Sequence, residues 1–236
     1  MTKPLYMYPG LAADARLFLP QQARLPALVT PAWLTPEKRE TLEAYARRMA
    51  EALMQQRVRE GATGAYCIGG FSFGGQVALE MVQHLAPKPG AVILVCGVRS
   101  RAQILPAFVR QQRLSEYVPA FVQRAMFGPY ASWFARREGL SAEHASLLIA
   151  MAKDNDPGFL QWSSWACANW RGEPKGVANA PGESGVKVLH LHGECDRVIP
   201  DVRKQATTTL AGAGHLITFT QAEAVTAWLR DVMERW

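Results

Sequence analysis

GGFSFGGQVALEM, residues Gly69 to Met81, sets one serine among glycines, after the apolar run AYCIGG and before a helix-like pattern. Gly70, Ser72 and Gly74 fit GxSxG, a weak pattern alone that becomes specific when a β-run precedes it and a helix follows. A turn this tight strains the serine backbone and exposes the hydroxyl at a sheet edge. It also needs neighbours without a Cβ, so that strand and helix can approach. The competing reading is a serine that merely caps the helix beginning at Phe73.

Outward from this turn, strand-like segments lie at Leu5 to Tyr8, Ala27 to Leu34, Ala65 to Gly70, Ala91 to Cys96 and Lys187 to His192. Several are continuous apolar runs, as suits a parallel sheet covered on both faces. Helix-like stretches alternate with them. Glu37 to Arg57 carries Leu42, Tyr45, Ala46, Met49 and Leu53 at helical spacing, Phe73 to Leu85 follows the serine, and Ala222 to Glu234 comes last. The alternation predicts a doubly wound α/β fold. It breaks from about Arg99 to Gly185, where helical patterns appear without a convincing strand. Asp156-Pro157 reads there as the N-cap and first residue of a helix through Trp170. The expected division is a core of residues 1–98 and 186–236 with a helical insertion, 99–185, whose tail GEPKGVANAPGESG leads flexibly back to the sheet.

At 236 residues, with 49% hydrophobic and 19% charged side chains, the chain can bury a full core and does not read as disordered or fibrous. Its net charge of +6 is spread along the sequence with no nucleic-acid module, so a solvated basic surface is expected and no nucleic-acid partner. Cysteines 67, 96, 167 and 195 form no CxxC pair and fit free thiols in a reducing compartment. No apolar run reaches the length of a membrane span, and MTKPLYMYPG lacks the pattern of a signal peptide; a cytoplasmic protein is expected.

A neutral serine is a poor nucleophile and requires a base and an acid. Both follow in chain order. After the strand KVLHLH comes Gly193-Glu194-Cys195-Asp196-Arg197-Val198-Ile199-Pro200, and Gly212-Ala213-Gly214-His215 precedes the final helix. Asp196 would accept from one imidazole nitrogen of His215 while the other takes the proton of Ser72.

Through GFSFGG, HGECDRVIP and GAGHLI, each in its place in the alternation, the sequence resembles the α/β-hydrolase superfamily over nearly its whole length. The resemblance implies a mostly parallel sheet with the cap inserted before the acid-bearing strand. It points to Asp196 as the acid, with Glu194 and Asp201 weaker candidates, and leaves Asp14, Asp154 and Asp156 to turns and caps. It implies an oxyanion hole from the Phe73 amide and a second amide after an early strand, here Leu11 in Tyr8-Pro9-Gly10-Leu11. The histidine usual in that loop is replaced by Tyr8-Pro9, the clearest departure from the family's sequence pattern; the donor, being backbone, does not depend on it. Packing is the expected role of Tyr8.

His190 and His192 alternate on one strand and share a face, but further ligands do not follow, so neither metal nor cofactor is expected; the pair reads as a strand end leading to Asp196. His84 and His144 read as surface groups, and Cys195 has no assigned role. The expected reaction is ester hydrolysis, with a thioester as competitor and ligand binding with little turnover as the alternative of another class. An apolar acyl pocket would be drawn from Phe71, Trp133 and Trp162, with Phe108, Phe121, Phe127 and Phe159 also available. Arg99, Arg101, Arg110, Arg113 and Arg124 read as a solvated face; an acidic acyl-carrier protein delivering the substrate is a refinement.

Overall fold

The structure, a computed structural model, describes residues 3–115, 118, 120–172, 175–178, 184–200 and 206–236. Strands β1 (Leu5–Tyr8), β2 (Leu28–Val29), β3 (Cys67–Phe71), β4 (Ala91–Val95), β5 (Val177–Ala178), β6 (Val186–Gly193) and β7 (Thr208–Leu210) form one sheet in the order β2-β1-β3-β4-β6-β5. β7 pairs with the far end of β6, and every pairing is parallel. All strands therefore end at one edge, where the connecting loops gather.

The side chains of β1 alternate across the sheet. Tyr6 and Tyr8 meet α2 (Leu42–Arg59) and α3 (Phe73–Met81), while Leu5 and Met7 face the opposite core. Helix α2 presents Leu42, Tyr45, Ala46, Met49 and Leu53 to the sheet, the apolar stripe that its sequence spacing predicts. Thr41 caps it by accepting from Ala44 N at 3.2 Å, a contact worth about 1 kcal/mol. On the other face lie α1 (Leu19–Gln22), α8 (Ile217–Thr220) and α9 (Ala222–Arg235), which buries Val225, Leu229, Val232 and Met233. The sheet is thus covered on both faces, as its apolar strands require.

Between β4 and β5 the chain forms α4 (Pro106–Ser115), α5 (Ala120–Arg137), α6 (Ala142–Asp154) and α7 (Pro157–Asn169). Asp156 caps α7 through Phe159 N at 2.7 Å, with Pro157 in the first turn where no amide is needed. Helix α7 packs on α3, while α5 pairs with α6 and joins the core that holds Leu5 and Met7.

Three sequence expectations change. The strand expected from Ala27 to Leu34 is reduced to Leu28–Val29, because Pro31 and the residues after it leave the sheet to bring Trp33 over Tyr8. The stretch 99–185 does contain a strand, Val177–Ala178, which pairs with Val186 and Lys187; two residues are too few for a periodic signal. Strand β7 was not expected either, since TTL lacks an apolar run. No helix among the described residues is long and apolar enough to cross a membrane.

Candidate active site

Residues that follow β1, β3, β4, β6 and β7 meet at the carboxyl edge of the sheet. β3 ends at Phe71, and Ser72 follows with φ 51° and ψ −117°, a conformation that side chains other than glycine rarely adopt. The turn is held by Ser72 N donating to Val95 O (2.9 Å) and Gly75 N donating to Ser72 O (3.0 Å). The Ser72 side chain makes no capping bond to α3, so the capping reading fails and the hydroxyl is left for another partner. Gly74 lets α3 approach the loop after β1: a Cβ there would strike the Tyr8 carbonyl. A Cβ on Gly10 would lie 3.3 Å from that of Ser72, so this loop stands directly over the serine.

The loop after β1 is a tight turn, with Ala13 N donating to Gly10 O at 3.3 Å and Ala12 at φ 57°. Asp14 caps the next turn through Arg16 N at 2.9 Å, and Arg16 pairs with both Asp14 and Asp154. Asp14 thus holds a turn, as expected, whereas Asp154, the last residue of α6, makes an ion pair rather than a cap. Among the described residues the Leu11 and Phe73 amides enter no hydrogen bond. Phe73 opens α3, where the first amides have no partner within the helix.

Asp196 follows β6 and is buried together with His215. His215 Nδ1 donates to Asp196 Oδ2 at 2.7 Å, which leaves Nε2 as the nitrogen that can take a proton. Asp196 Oδ1 accepts from Val198 N (2.8 Å) and Ile199 N (2.9 Å). Burial alone would raise the Asp196 pKa, but His215 first, and then the Ile199 amide and His192, outweigh it and hold the carboxyl below its ordinary value. The weaker candidate Glu194 instead braces two loops, accepting from Gly212 N at 2.9 Å; Asp201 lies outside the described residues. Among the described residues Ser72 Oγ makes no hydrogen bond to His215, a bond often formed only once substrate is bound.

Three contacts around this pair were not anticipated. Glu138, just past α5, accepts from His215 N at 2.6 Å and from Leu216 N at 3.3 Å, so the insertion holds the backbone of the His215 loop. Its sequence position, 77 residues away, carries no local signal. The Cys96 thiol, at φ 46° after β4, lies beside Asp196 and His215; burial first, and the Asp196 charge next, push its pKa well up. His192 Nε2 stands 3.4 Å from Asp196 Oδ2, and the shared face of His190 and His192 was the available clue.

The expected substrate residues are dispersed. The Phe71 ring lies 4.9 Å from that of His215. Trp162 is buried, donates to Glu40 O (2.8 Å), and packs on Tyr45 and Phe73. On its other side it lines a groove of about 800 Å³ with Pro36, Arg39, Phe159 and Trp165, a space that does not include Ser72, Asp196 or His215. Trp133 is 51% exposed; it meets Tyr130 at 5.7 Å, and Tyr130 stacks on Phe134, which is 6.4 Å from His215. Phe108 and Phe159 join the core beside Phe73, and Phe127 packs on the opposite core. The Phe121 and Arg113 side chains lie outside the described residues, while Arg110 and Arg124 are exposed. Tyr8 is fully buried and stacks on Trp33 at 5.2 Å, the packing role expected of it. His84 and His144 are half-buried rather than exposed; His144 stacks on Phe219 at 4.6 Å.

A parallel sheet, a strained serine after its third strand and an Asp–His pair on the same edge agree with the match of residues 9–228 to the alpha/beta hydrolase family. The chain belongs to that family. Among solved structures, this hydrolase resembles an esterase from Thermogutta terrifontis at 19% identity and TM-score 0.74, with 99% of this chain and 90% of that one covered. It also resembles an enol-lactonase from Burkholderia xenovorans, at 14% identity, TM-score 0.67 and coverages of 100% and 93%. A third relative in fold is the RedJ thioesterase of prodiginine biosynthesis from Streptomyces coelicolor, at 19% identity, TM-score 0.62 and coverages of 97% and 84%. A search of curated proteins finds no match.

Proposed function

We propose that this family member cleaves a carboxylic ester through an acyl-enzyme. The observation that carries the reading is the pairing of a strained, uncapped Ser72 with a buried Asp196–His215 bond on one sheet edge. Ser72 attacks the carbonyl as His215 Nε2 takes its proton. Asp196 holds the tautomer and stabilises the imidazolium. The Leu11 and Phe73 amides stabilise the oxyanion, which then collapses to expel the alcohol, protonated by His215. Water, activated by the same histidine, releases the acid and restores Ser72.

Residues 99–185 act as the cap over this edge, with Phe71 beside the catalytic histidine and Trp133 and Trp162 within the cap. A thioester is the second reading, favoured by the fold shared with a thioesterase, and an acyl-carrier protein would then be its carrier. The test is hydrolysis of a chain-length series of p-nitrophenyl esters and acyl-thioesters by wild type and Ser72→Ala, with a phosphonate label located by mass spectrometry. Turnover lost in the variant, with label on Ser72, supports the reading. A folded wild type that neither turns over nor labels sinks it in favour of ligand binding.

A further inference from the structure

We propose that His192, backed by His190, is a positioning residue for the acid: a second imidazole, beside that of His215, that locks Asp196 through the turn that carries it. The inference rests on the proposed Ser72–His215–Asp196 mechanism, and it starts from two alternate residues of β6, both buried, whose rings meet nearly at right angles.

The partners fix the placement of one proton. His192 Nε2 lies 2.7 Å from Ile199 O, and a carbonyl can only accept, so His192 carries its hydrogen on Nε2. The same N–H lies 3.4 Å from Asp196 Oδ2, the oxygen that His215 Nδ1 contacts at 2.7 Å. His192 Nδ1 stands 3.1 Å from His190 Nε2; with both rings neutral, His190 donates and His192 accepts. His190 is itself fixed through its backbone, its amide donating to Thr207 Oγ1 at 2.8 Å and its carbonyl accepting from Thr207 N at 2.9 Å.

The consequence is a closed brace around the carboxylate. Ile199 N donates to Asp196 Oδ1 while Ile199 O accepts from His192, so the turn that presents Asp196 is tied back to the strand it has just left. Oδ1 is held by two amides and Oδ2 by His215, with the His192 N–H against it, which leaves the carboxylate little freedom to rotate away from the catalytic imidazole. A group orienting another group in this way is expected to act on the rate of proton transfer rather than on substrate affinity.

Two measurements test it together. Imidazole nitrogen–proton correlation spectra of the wild-type protein should show His192 protonated on Nε2; a neutral ring protonated on Nδ1 alone would overturn the brace. Steady-state kinetics then compare His192→Phe, which keeps a ring without an N–H, with His192→Gln, whose amide can still donate to Ile199 O. The expected result is a kcat about tenfold or more lower in H192F with KM within about twofold, and recovery of most of the loss in H192Q. An H192F protein that is folded by circular dichroism and retains wild-type kcat refutes the proposal. Equal losses in H192F and H192Q refute it as well, since the donor would then be irrelevant. If H192F does not fold, H192Q and the tautomer decide. If the wild type neither turns over nor labels at Ser72, the hydrolase reading fails instead, and the spectra still report separately whether His192 makes the bond.

Discussion

Ser72 and Asp196 stand on the same edge of the sheet, yet the chain fixes them by opposite means. The serine is placed by backbone: a left-handed φ, glycines that let α3 and the loop after β1 close in, and no bond to its side chain from the helix it precedes. The aspartate is placed by its side chain, with two amides on one oxygen and His215 on the other. The proposed mechanism asks for this difference: a nucleophile must be free to leave its resting contacts, whereas an orienting acid must not move. The contrast shows where each half is vulnerable: the first to added atoms, the second to lost hydrogen-bond partners.

The sharpest break in the acid half is Asp196→Asn. Asparagine keeps an oxygen for the Val198 and Ile199 amides but presents an amide donor to His215, which then favours the wrong tautomer. We expect kcat to fall about 10⁴-fold with little change in KM, read by single-substrate kinetics on whichever ester proves best. A fall of less than about tenfold would mean that Asp196 does not orient the base.

The nucleophile half breaks in folding rather than in chemistry. In Gly74→Ala the new methyl meets the backbone carbonyl of Tyr8, which cannot swing aside as a side-chain tip could. Strain and displacement should lower stability by about 3 kcal/mol, measured as a shift in urea midpoint at unchanged slope. A variant as stable as wild type would show that the loop after β1 can retreat from α3.

What the sequence made legible follows the same division. The serine turn is local: strand, glycines, serine and helix occupy thirteen consecutive residues, so their pattern carries the geometry from which the role is proposed. Asp196 and His215 lie in short loops whose place in the strand–helix alternation gives them away. The supports of the acid half are spread across the chain. Cys96 belongs to β4's end, His190 and His192 to β6, and Glu138 to the cap, and only the fold brings them to one carboxylate and one loop. The two-residue strand β5 and the three-residue β7 are too short for periodicity to reveal them.

Glu138 joins the helical insertion to the acid half, and its loss should have an intermediate effect. Glu138→Ala strips the acceptor from the buried His215 amide, at a cost of about 1–3 kcal/mol in stability, and should lower kcat about tenfold as the loop loosens. Glu138→Gln retains an oxygen that can accept from that amide and should recover most of both losses. Thermal melts and kinetics on the pair separate a hydrogen-bond role from a bulk effect of the charge, which both variants remove.

The smallest effect concerns alkaline pH. Burial, and then the Asp196 charge, raise the Cys96 thiol well above its ordinary value of 9.0. In the unfolded chain this thiol releases its proton above about pH 9, while in the folded protein it keeps it, so the native state binds more protons. Stability from this group is therefore fully present below pH 9 and declines as pH rises towards the folded value, by about 1.4 kcal/mol per pH unit. Cys67 is raised by burial too, and Cys167 is pushed up to about 12, so the wild-type slope is a sum over several thiols. Cys96→Ser isolates one of them: the hydroxyl can still donate to Asp196 but does not titrate in this range. Urea midpoints at pH 8, 9 and 10 should converge between wild type and variant as pH rises, because only the wild type loses this contribution. Parallel curves would mean that the thiol ionises as readily in the folded state as in the unfolded one, and that the acid half is more open to solvent than its packing implies.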